Sequence, residues 1–377
     1  MGAVQQVPTD IGAVVDVSNV CWSERLPPLG RHYPLLRRLD LVRAAWYRQF
    51  GAHAPLLLVA DNSLRRALPP EDRRTLLRLE GSGVLRSAPA ADPLLLELAL
   101  DRGWYVVSAD QFKDLRRLHP WIERSPERFL GWEEDGGGVR LRPSGIQPVP
   151  DHLVSRAVEY KDLKHGQHHI DTDVTAHRRV LRSHWRCTTR GCMKAFLWPD
   201  RLLDWPSIGR DGRAECGCCG YPLREAGPRG ASRVIVASDA ADGREFLRFP
   251  ISVGSAVQLG RGDLSNGVNL AATELRPPFE VRRVSRRHLM LSLEETSGGP
   301  RAFAVDLGSA NGTLLHRGSW RRSEPGGRVA LGETDRLLLG DAVLVRLSGC
   351  RHLTAGEQAA PALDAAGGDL TVLGTFT

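Results

Sequence analysis

Apolar and polar positions change their spacing several times along the 377 residues of this chain. Over the first third, short continuous apolar runs predict buried strands, and apolar residues that recur every three or four positions predict helices between them. The strands are predicted at residues 12–16, 55–60, 84–86 and 104–107, and the helices at residues 34–50 and about 70–80. Strands that alternate with helices favour an α/β domain with a parallel, doubly wound sheet, which binds ligands at the carboxyl ends of its strands.

Three acids lie at the ends of these elements. Asp16 closes the first strand, Asp110 follows the strand 104–107, and Asp92 opens an apolar helix. Each acid alone would more often be a helix cap or a turn residue, but together they are expected at one edge of the sheet. Converging carboxylates repel one another unless a cation lies between them, and an open, oxygen-rich site suits Mg²⁺ or Mn²⁺. Asp61 also follows a strand, where the pattern favours a cap for the next helix.

The motifs around these acids resemble those of PIN-like ribonucleases, and within them the NYN branch that includes the Regnase-type mRNA endonucleases. The shared motifs are Asp16-Val-Ser-Asn19, Asp92 and Val107-Ser-Ala-Asp110-Gln-Phe112-Lys-Asp114. The resemblance covers residues 1–140 and implies a metal-dependent ribonuclease. Its metal ligands, direct or through water, would be Asp16, Asp92 and Asp110. Asp114 would be a supporting acid, and Asn19 would be a positioning residue.

Two positions depart from the Regnase-like pattern. Ala91 stands where a second acid often precedes the helix, and Ala109 replaces the usual Asn. Either change is compatible with weak activity or a different cleavage preference. They also leave open a non-catalytic adaptor with a degenerate PIN-like domain, and the same acids could support a DNA nuclease of flap type.

The segment after Asp114 carries basic residues with interleaved aromatics. Such a segment can stack and steer single-stranded RNA, but Trp121, Phe129 and Trp132 are also typical of core residues, and we expect at least two of the three in the core. A glycine run and a Pro-rich stretch then predict a domain boundary. Residues 141–180 are predicted as a linker. Its histidines, for which a solvated position is favoured over a metal or phosphate site, are His165, His168 and His169.

Two close cysteine pairs predict a small metal site between residues 181 and 226. Four thiolates at this spacing can surround Zn²⁺ tetrahedrally, as in zinc ribbons, where the metal is structural. The predicted ligands are Cys187, Cys192, Cys216 and Cys219. Cys218 is then the spare thiol. Disulfides are the poorer interpretation for a chain expected in the cytoplasm.

From about residue 231 the pattern changes to short strands separated by turn residues, which is typical of an all-β sandwich. The strands are predicted at residues 233–237, 246–249, 257–261, 288–293, 302–306 and 336–339. Their loops carry Gly260-Arg261, Val284-Ser285-Arg286-Arg287-His288 and Asp306-Leu-Gly-Ser-Ala-Asn311-Gly312-Thr313. In order and spacing these motifs resemble forkhead-associated (FHA) domains, over residues 231–350.

The FHA resemblance implies recognition of phosphothreonine. A guanidinium and a hydroxyl on adjacent loops can hold a phosphate dianion, here from Arg261 and Ser285, with Arg286 or Arg287 as a further contact. Asn311 would hold the ligand backbone. The family's histidine, His288 in this sequence, braces the loops and does not bind phosphate, and His316 stands where the family often has Asn.

Charge and composition add modest constraints. A formal net charge of +7 and a pI of about 9.3 suit a protein that binds polyanions, although lysine is nearly absent and the arginine content alone is weak evidence for RNA binding. No apolar run of about eighteen residues predicts a membrane span, and no signal core is evident near residue 1, so we expect a cytoplasmic protein. No Lys or Arg follows Arg351, and residues 351–377 are predicted to be a disordered acidic tail.

The sequence therefore predicts a multidomain chain with an α/β PIN-like domain, a zinc ribbon and an FHA sandwich. The expected activity is metal-dependent endonucleolytic cleavage of single-stranded RNA, recruited or regulated through phosphothreonine. The expected partners are RNA, a Ser/Thr kinase and a phosphorylated protein. The chain's own tail is a second candidate for the phosphorylated ligand, at Thr354, Thr371 or Thr375.

Overall fold

The computed structural model describes residues 11–28, 32–136, 138–149, 151–262, 266–271 and 281–352. The chain divides into two compact units, Met1–Val149 and Pro150–Thr377. In the described part of the chain, no helix has both the length and the apolar character that crossing a bilayer requires.

The first unit is built on a six-stranded sheet in the order β3-β2-β1-β4-β5-β6. Neighbouring strands from β3 through β5 are parallel, and β6 is an antiparallel edge. The strands are β1 (Ala13–Asp16), β2 (Leu56–Asp61), β3 (Leu85–Ala88), β4 (Tyr105–Val107), β5 (Phe129–Asp135) and β6 (Gly138–Pro143). The helices are α1 (Val17–Trp22), α2 (Arg37–Phe50), α3 (Asn62–Ala67), α4 (Pro70–Gly81), α5 (Ala91–Arg102) and α6 (Trp121–Arg124), with a 3₁₀ turn at Pro126–Arg128.

Apolar side chains on both faces of this sheet explain the continuous apolar strands. Val15 packs with α1 and α2 on one face, while Val14 packs with α5 on the other. Successive side chains of a strand point to opposite faces, so a strand buried on both sides must be apolar throughout. The predicted parallel α/β architecture is confirmed. The sheet's carboxyl edge, where β1 and β4 end side by side, carries the acids.

The predicted domain boundary at residue 140 falls inside β6. The unit continues to Val149, because Ile146 is buried in its core and the Gln147 carbonyl accepts a 2.5 Å hydrogen bond from Arg116. Nothing in the polar sequence beyond residue 143 signals these tertiary contacts.

The second unit contains a β-sandwich, a small cysteine-bearing subdomain and further helices. The sandwich sheets have the orders β12-β11-β21-β20-β17-β18 and β14-β13-β15-β16-β19. Their strands are β11 (Ser232–Asp239), β12 (Glu245–Ser252), β13 (Ser255–Gly260), β14 (Gly267–Asn269), β15 (Leu289–Glu294), β16 (Arg301–Asp306), β17 (Thr313–Arg317), β18 (Ser319–Arg322), β19 (Arg328–Leu331), β20 (Arg336–Leu339) and β21 (Val343–His352). One apolar core fills the space between the sheets.

The small subdomain precedes the sandwich. It pairs β7 (Ser183–Arg186) with β10 (Arg224–Pro228) and β8 (Ser207–Ile208) with β9 (Ala214–Glu215), and it includes helix α9 (Met193–Leu197). We call residues 183–228 the ribbon. Trp198 and Leu203 of the ribbon pack against the sandwich core, so the two parts form one body.

The predicted linker 141–180 is wrong over most of its length. It forms helices α7 (Asp151–His165) and α8 (Thr175–Leu181). Helix α7 packs against β21, and Glu159 accepts a 2.6 Å hydrogen bond from Arg248 of the sandwich. This buried ion pair, which joins residues far apart in the chain, has no local signal in the sequence.

The predicted tail boundary is also displaced. Strand β21 extends to His352, which lies opposite Ser232. Residues 353–377, with the candidate phosphothreonines Thr354, Thr371 and Thr375, lie outside the described residues.

Candidate functional site

Asp16 is a buried carboxylate at the carboxyl edge of the first unit. It ends β1 and caps α1, so its Oδ1 accepts a 2.9 Å hydrogen bond from the Asn19 amide, while its Oδ2 accepts one of 3.0 Å from the Ser108 hydroxyl. Burial, reinforced by the charges of Asp92 and Asp110, raises the pKa of Asp16 to about 7, although these hydrogen bonds oppose the shift. A cation at this edge would favour the ionised form.

Asp110 lies exposed in a turn that Ser108 and Phe112 define. The Asp110 amide donates to the Ser108 hydroxyl oxygen at 3.1 Å, and the Asp110 carboxylate accepts from the Phe112 amide at 2.9 Å. Phe112 has a positive φ of 47° although its side chain is almost fully buried. A bulky residue rarely adopts this conformation, and it persists here because the ring packs into the core beside Phe129, 5.9 Å away.

Asn19 connects the two acidic turns. Its side-chain oxygen accepts a 2.9 Å hydrogen bond from the Ala109 amide, and its own amide donates to Asp16. Asn19 therefore fixes the spacing between the ends of β1 and β4, as expected of a positioning residue.

Two more acids lie at this edge. Asp92 is in the first turn of α5, and Asp61 ends β2. Helix α5 begins at Ala91, so Asp92 is its second residue and not the residue that precedes the first turn. The Asp61 carboxylate accepts a 3.0 Å hydrogen bond from the Ala91 amide, and the Asp61 amide donates to the Ser18 hydroxyl at 2.9 Å. Asp61 lies at the N-cap position of α3, as the sequence predicts, but its carboxylate makes no capping hydrogen bond to that helix. Asp61, which the sequence ranks below the other three acids, therefore lies at this edge of the sheet.

The acids at this edge do not form a closed set of ligands. Among the described residues, the one group of three or more His, Cys, Asp or Glu side chains whose ligand atoms all lie within 4.8 Å is a cysteine cluster. Asp16 is nevertheless close enough to Asp92 and Asp110 to feel their charges. An open carboxylate site of this kind fits Mg²⁺ or Mn²⁺, which keep several waters. Asp114 lies exposed in the turn that follows Phe112.

The aromatic residues beyond Asp114 belong to the core. Phe129 and Trp132 are buried, and Trp121 packs against Phe129 with 4.9 Å between ring centroids. The expectation that at least two of the three are core residues is confirmed, and these rings are not an open stacking surface for RNA.

Four cysteines of the ribbon meet in one cluster. The Sγ atoms of Cys187 and Cys219 are 3.7 Å apart, those of Cys192 and Cys216 are 3.8 Å apart, and all four lie within 4.8 Å of one another. Four sulfurs at about 2.3 Å from a tetrahedral Zn²⁺ are about 3.8 Å apart. The cluster could therefore hold a metal ion. Cys218 is exposed outside it.

The thiols of this cluster differ in their pKa values. Burial raises the pKa of Cys192 to about 12. Burial would also raise the pKa of Cys219, but hydrogen bonds from the Tyr221 amide and the Thr189 side chain outweigh it and lower the value to about 7. Buried thiols are poor anions alone and good ligands once a metal is bound.

The predicted phosphate-binding residues lie on three neighbouring loops of the sandwich. The Arg261 amide donates to the Ser285 carbonyl at 3.1 Å, and the Ser285 hydroxyl oxygen accepts a 2.9 Å hydrogen bond from the Ala310 amide. That bond leaves the hydroxyl proton available to a ligand. Arg286 is exposed, and the Nε of Arg261 is buried without a hydrogen-bond partner among the described residues. Both guanidiniums can therefore receive an anion.

His288 is the buried brace of these loops. Its Nδ1 accepts a 3.1 Å hydrogen bond from the Ser285 amide, and its Nε2 donates to the Gly312 carbonyl at 3.2 Å. Burial lowers the pKa of His288, against the opposing charge of Asp306 and the Gly312 bond, which keeps the ring neutral. Both bonds require this one tautomer, so His288 positions the loops and offers no free nitrogen to phosphate.

Asn311 lies exposed at the rim of the same site. Its side-chain amide donates to the Arg283 carbonyl at 2.8 Å, and its own carbonyl accepts from Arg322 at 3.2 Å. Gly312 has a φ of 78°, and a Cβ there would collide with the Arg322 guanidinium. A Cβ at Gly260 would likewise collide with the Arg286 carbonyl. Glycine is favoured at Gly312 because of its positive φ, and it is required at Gly260 because the Arg286 backbone approaches so closely.

The histidines of the predicted linker do not form a site among the described residues. His165 ends α7, and His169 has a positive φ of 54°. His168 is buried, with Nδ1 3.1 Å from the Pro206 carbonyl, so the favoured solvated position is wrong for this residue.

Comparison with known proteins identifies one part of the chain. Residues 257–340 match the family model of the FHA domain. The second unit therefore carries a C-terminal FHA domain, and this domain implies phosphothreonine recognition. Among curated proteins, no sequence matches the chain significantly.

Solved structures similar to parts of the chain are distant. The MEK1 FHA domain is 17% identical over 30% of this chain and 87% of that chain, with a TM-score of 0.23. The yeast Pml1 splicing factor is 18% identical over 32% and 82%, with a TM-score of 0.24. The nuclear protein-only RNase P 2 (PRORP2) of Arabidopsis thaliana is 22% identical over 37% of this chain and 31% of that chain, with a TM-score of 0.29. A function for the first unit therefore rests on its own geometry.

Proposed function

We propose that the first unit is a metal-dependent endoribonuclease that cleaves single-stranded RNA, and that the FHA domain recruits or regulates it through a phosphothreonine ligand. The observation that carries the nuclease half is the buried Asp16 carboxylate, whose charge is unfavourable beside Asp92 and Asp110 unless a cation is present. The motif resemblance supports RNA as the substrate, and the basic pI is consistent with it.

The residues divide into ligands and supports. Asp16, Asp92 and Asp110 would hold Mg²⁺ or Mn²⁺, which supplies a clamp for the phosphodiester and lowers the pKa of a bound water. Ser108 orients both Asp16 and Asp110, and Asn19 sets the distance between their turns. Asp61 and Asp114 would act as supporting acids that hold water around the ion.

Purified protein incubated with labelled RNA or single-stranded DNA tests this activity. With Mn²⁺ we expect internal cleavage of RNA, and we expect Asp16→Asn and Asp110→Asn each to lower the rate by at least about a hundredfold. Preferential cleavage of DNA over RNA would favour the flap-type nuclease. Cleavage that persists in both variants would come from a contaminant.

A non-catalytic adaptor is the second candidate. The observation that favours it is Ala91, a buried alanine whose amide is capped by Asp61 where the ribonuclease pattern often has an acid. Metal-independent RNA binding without cleavage would support this function, and Ala91→Asp would then be the variant in which to look for restored activity.

For the FHA domain, we propose that Arg261, Ser285 and Arg286 hold the phosphate and that Asn311 holds the peptide backbone. The hydroxyl proton of Ser285, and the Nε of Arg261, which has no hydrogen-bond partner among the described residues, support these roles. The ligand would be a partner, or this chain's own residues beyond 352, phosphorylated by a Ser/Thr kinase. Binding of a phosphothreonine peptide library should be lost in Arg261→Ala and on dephosphorylation.

We further propose that the cysteine cluster holds a structural Zn²⁺. Because four ligands close the site, the ion would contribute folding energy to a ribbon with a small core. Metal analysis should find about one zinc per chain in the wild type and in Cys218→Ser, and much less in Cys216→Ser. Equal zinc in both variants would contradict the assignment of ligands.

A further inference from the structure

Helix α9 of the ribbon presents large apolar side chains to solvent. Met193 is 61% exposed and Phe196 is 75% exposed, the highest value for a large apolar residue in the described ranges. Exposed apolar residues that share one short element are typical of a binding surface.

This helix lies against the phosphate-binding loops. The Asn266 amide donates a 2.8 Å hydrogen bond to the Leu197 carbonyl, at the end of α9. Asn266 closes the loop that starts at Arg261, just before β14. The end of the helix is therefore bonded to the loop that supplies the principal phosphate ligand.

A continuous set of contacts connects the same helix with the second phosphate-binding loop. The Gln258 amide donates to the Asn266 carbonyl at 3.4 Å, and the Gln258 side-chain oxygen accepts a 3.1 Å hydrogen bond from Arg287. Gln258 precedes Gly260 by two residues of an extended strand, about 7 Å. Gln258 therefore connects α9, through Asn266, with the strand that ends at Gly260 beside Arg261.

The helix is rigidly placed and not strongly cationic. Trp198 packs in both the ribbon core and the sandwich core, and Arg201 donates to the Gly254 carbonyl at 3.0 Å. Lys194, the cation of the helix itself, is paired with Asp204 at 3.2 Å. A surface whose own cation is neutralised suits an apolar side chain better than a phosphodiester backbone.

We propose that α9 is part of the phosphopeptide-binding face, where Met193 and Phe196 receive a large apolar side chain a few residues from the phosphothreonine. The proposal rests on the proposed phosphothreonine binding of the FHA domain. It gives the ligand a second requirement besides phosphate, and it makes the ribbon a determinant of which phosphoproteins bind.

An oriented peptide library tests this inference. The library has a fixed phosphothreonine and randomised positions on both sides, and it is screened against the full chain. We expect selection of Leu, Ile, Met or Phe at one position. The variant Met193→Ser/Phe196→Ser should lose that preference and bind the selected peptide about tenfold more weakly. The control Tyr221→Ser changes a ribbon residue that is 60% exposed and should bind like the wild type.

Each outcome has a distinct meaning. Loss of all binding in Arg261→Ala, with an apolar preference that only the α9 variant removes, supports the proposal. Phosphate-dependent binding with no apolar preference, or with one that survives in the α9 variant, overturns it and leaves the phosphothreonine function intact. Absence of any Arg261-dependent binding contradicts the proposed function itself. RNA that crosslinks to Phe196 and is displaced by no phosphopeptide would assign the surface to RNA and also overturn the proposal.

Discussion

Asp16 shows how a site residue can work against the stability of its own domain. Its pKa of about 7 in the folded chain lies above the ordinary 3.8, so the folded state holds the proton more tightly than the unfolded state. The stability that this proton provides is complete below about pH 3.8 and is lost as the pH rises through 7. Without a cation, the ionised carboxylate is therefore destabilising above neutrality.

The variant Asp16→Asn should stabilise the metal-free protein at pH 8. The neutral amide mimics the protonated acid, and the shift sets an upper limit of about 4 kcal/mol on the gain in the free energy of unfolding. Urea unfolding in buffer freed of Mg²⁺ and Mn²⁺ by desalting measures it, since a strong chelator would also remove any metal held by the four cysteines. The exposed Asp101→Asn is the control and should change little. A less stable Asp16→Asn at pH 8 would contradict the buried charge.

His288 should behave as a structural residue whose loss also weakens ligand binding. His288→Ala leaves the Ser285 amide and the Gly312 carbonyl without their partner, which should cost about 2–3 kcal/mol of unfolding free energy. Because its pKa is lowered, its contribution is present above about pH 6.5 and is lost as the pH falls. Urea unfolding at pH 7 and pH 5 tests both points. Arg261→Ala, which should lose binding and keep stability, separates the two roles.

At the residue scale, the sequence motifs predicted the position of Asp16, Asn19 and Asp110 at the carboxyl edge of the first sheet, because these residues lie next to strand ends. Asp61 was misjudged because its partner is the Ala91 amide, 30 positions away, and local sequence carries no trace of that contact. The positive φ of Phe112 was equally invisible, since the core packing that sustains it is tertiary.

At the scale of the elements, helix α7 is attached to the sandwich through a network of charged side chains. Arg248 donates to Glu159 at 2.6 Å and to Glu245 at 2.9 Å, and Arg346 donates to Glu245 at 2.8 Å. The side chains are largely buried, and removal of one partner from a buried network leaves charge uncompensated. Buried charges thus contribute to the attachment of the helix to the sandwich.

Glu159→Ala should destabilise the second unit by about 2 kcal/mol, since Arg248 keeps Glu245 as a remaining partner. The matched control is Glu294→Ala, which removes an ion pair with Arg328 whose side chains are about half exposed and should cost less than about 1 kcal/mol. Urea unfolding of the two variants gives the comparison. Equal effects would show that α7 is not held by this pair.

Elements with a regular apolar period were predictable, and those without one were not. Helix α2 runs from Arg37 to Phe50 and ends at Gly51, as its spacing predicts. Strand β18 has four exposed residues, and β14 has only three residues, so neither has a pattern to detect. Helix α7 was not predicted either, because the ion pair between Glu159 and Arg248 that attaches it joins residues far apart in the chain.

Taken as a whole molecule, the chain has two compact units with separate cores and separate sites. We therefore expect the two activities to separate by mutation. Asp16→Asn should abolish RNA cleavage and leave the affinity for a phosphothreonine peptide unchanged. Arg261→Ala should abolish peptide binding and leave cleavage of free RNA unchanged. Cleavage that changes in Arg261→Ala only when the phosphopeptide is present would indicate gating of the nuclease rather than recruitment.

A short stretch of sequence connects the two units. The Val149 amide is bonded to Glu123 within the first unit, and α7 of the second unit starts at Asp151. A phosphoprotein captured by one unit would bring any RNA it carries into the same complex as the other unit, which raises the effective concentration of that RNA. Weak intrinsic affinity for RNA would then suffice, and substrate choice would follow from which phosphoproteins carry RNA.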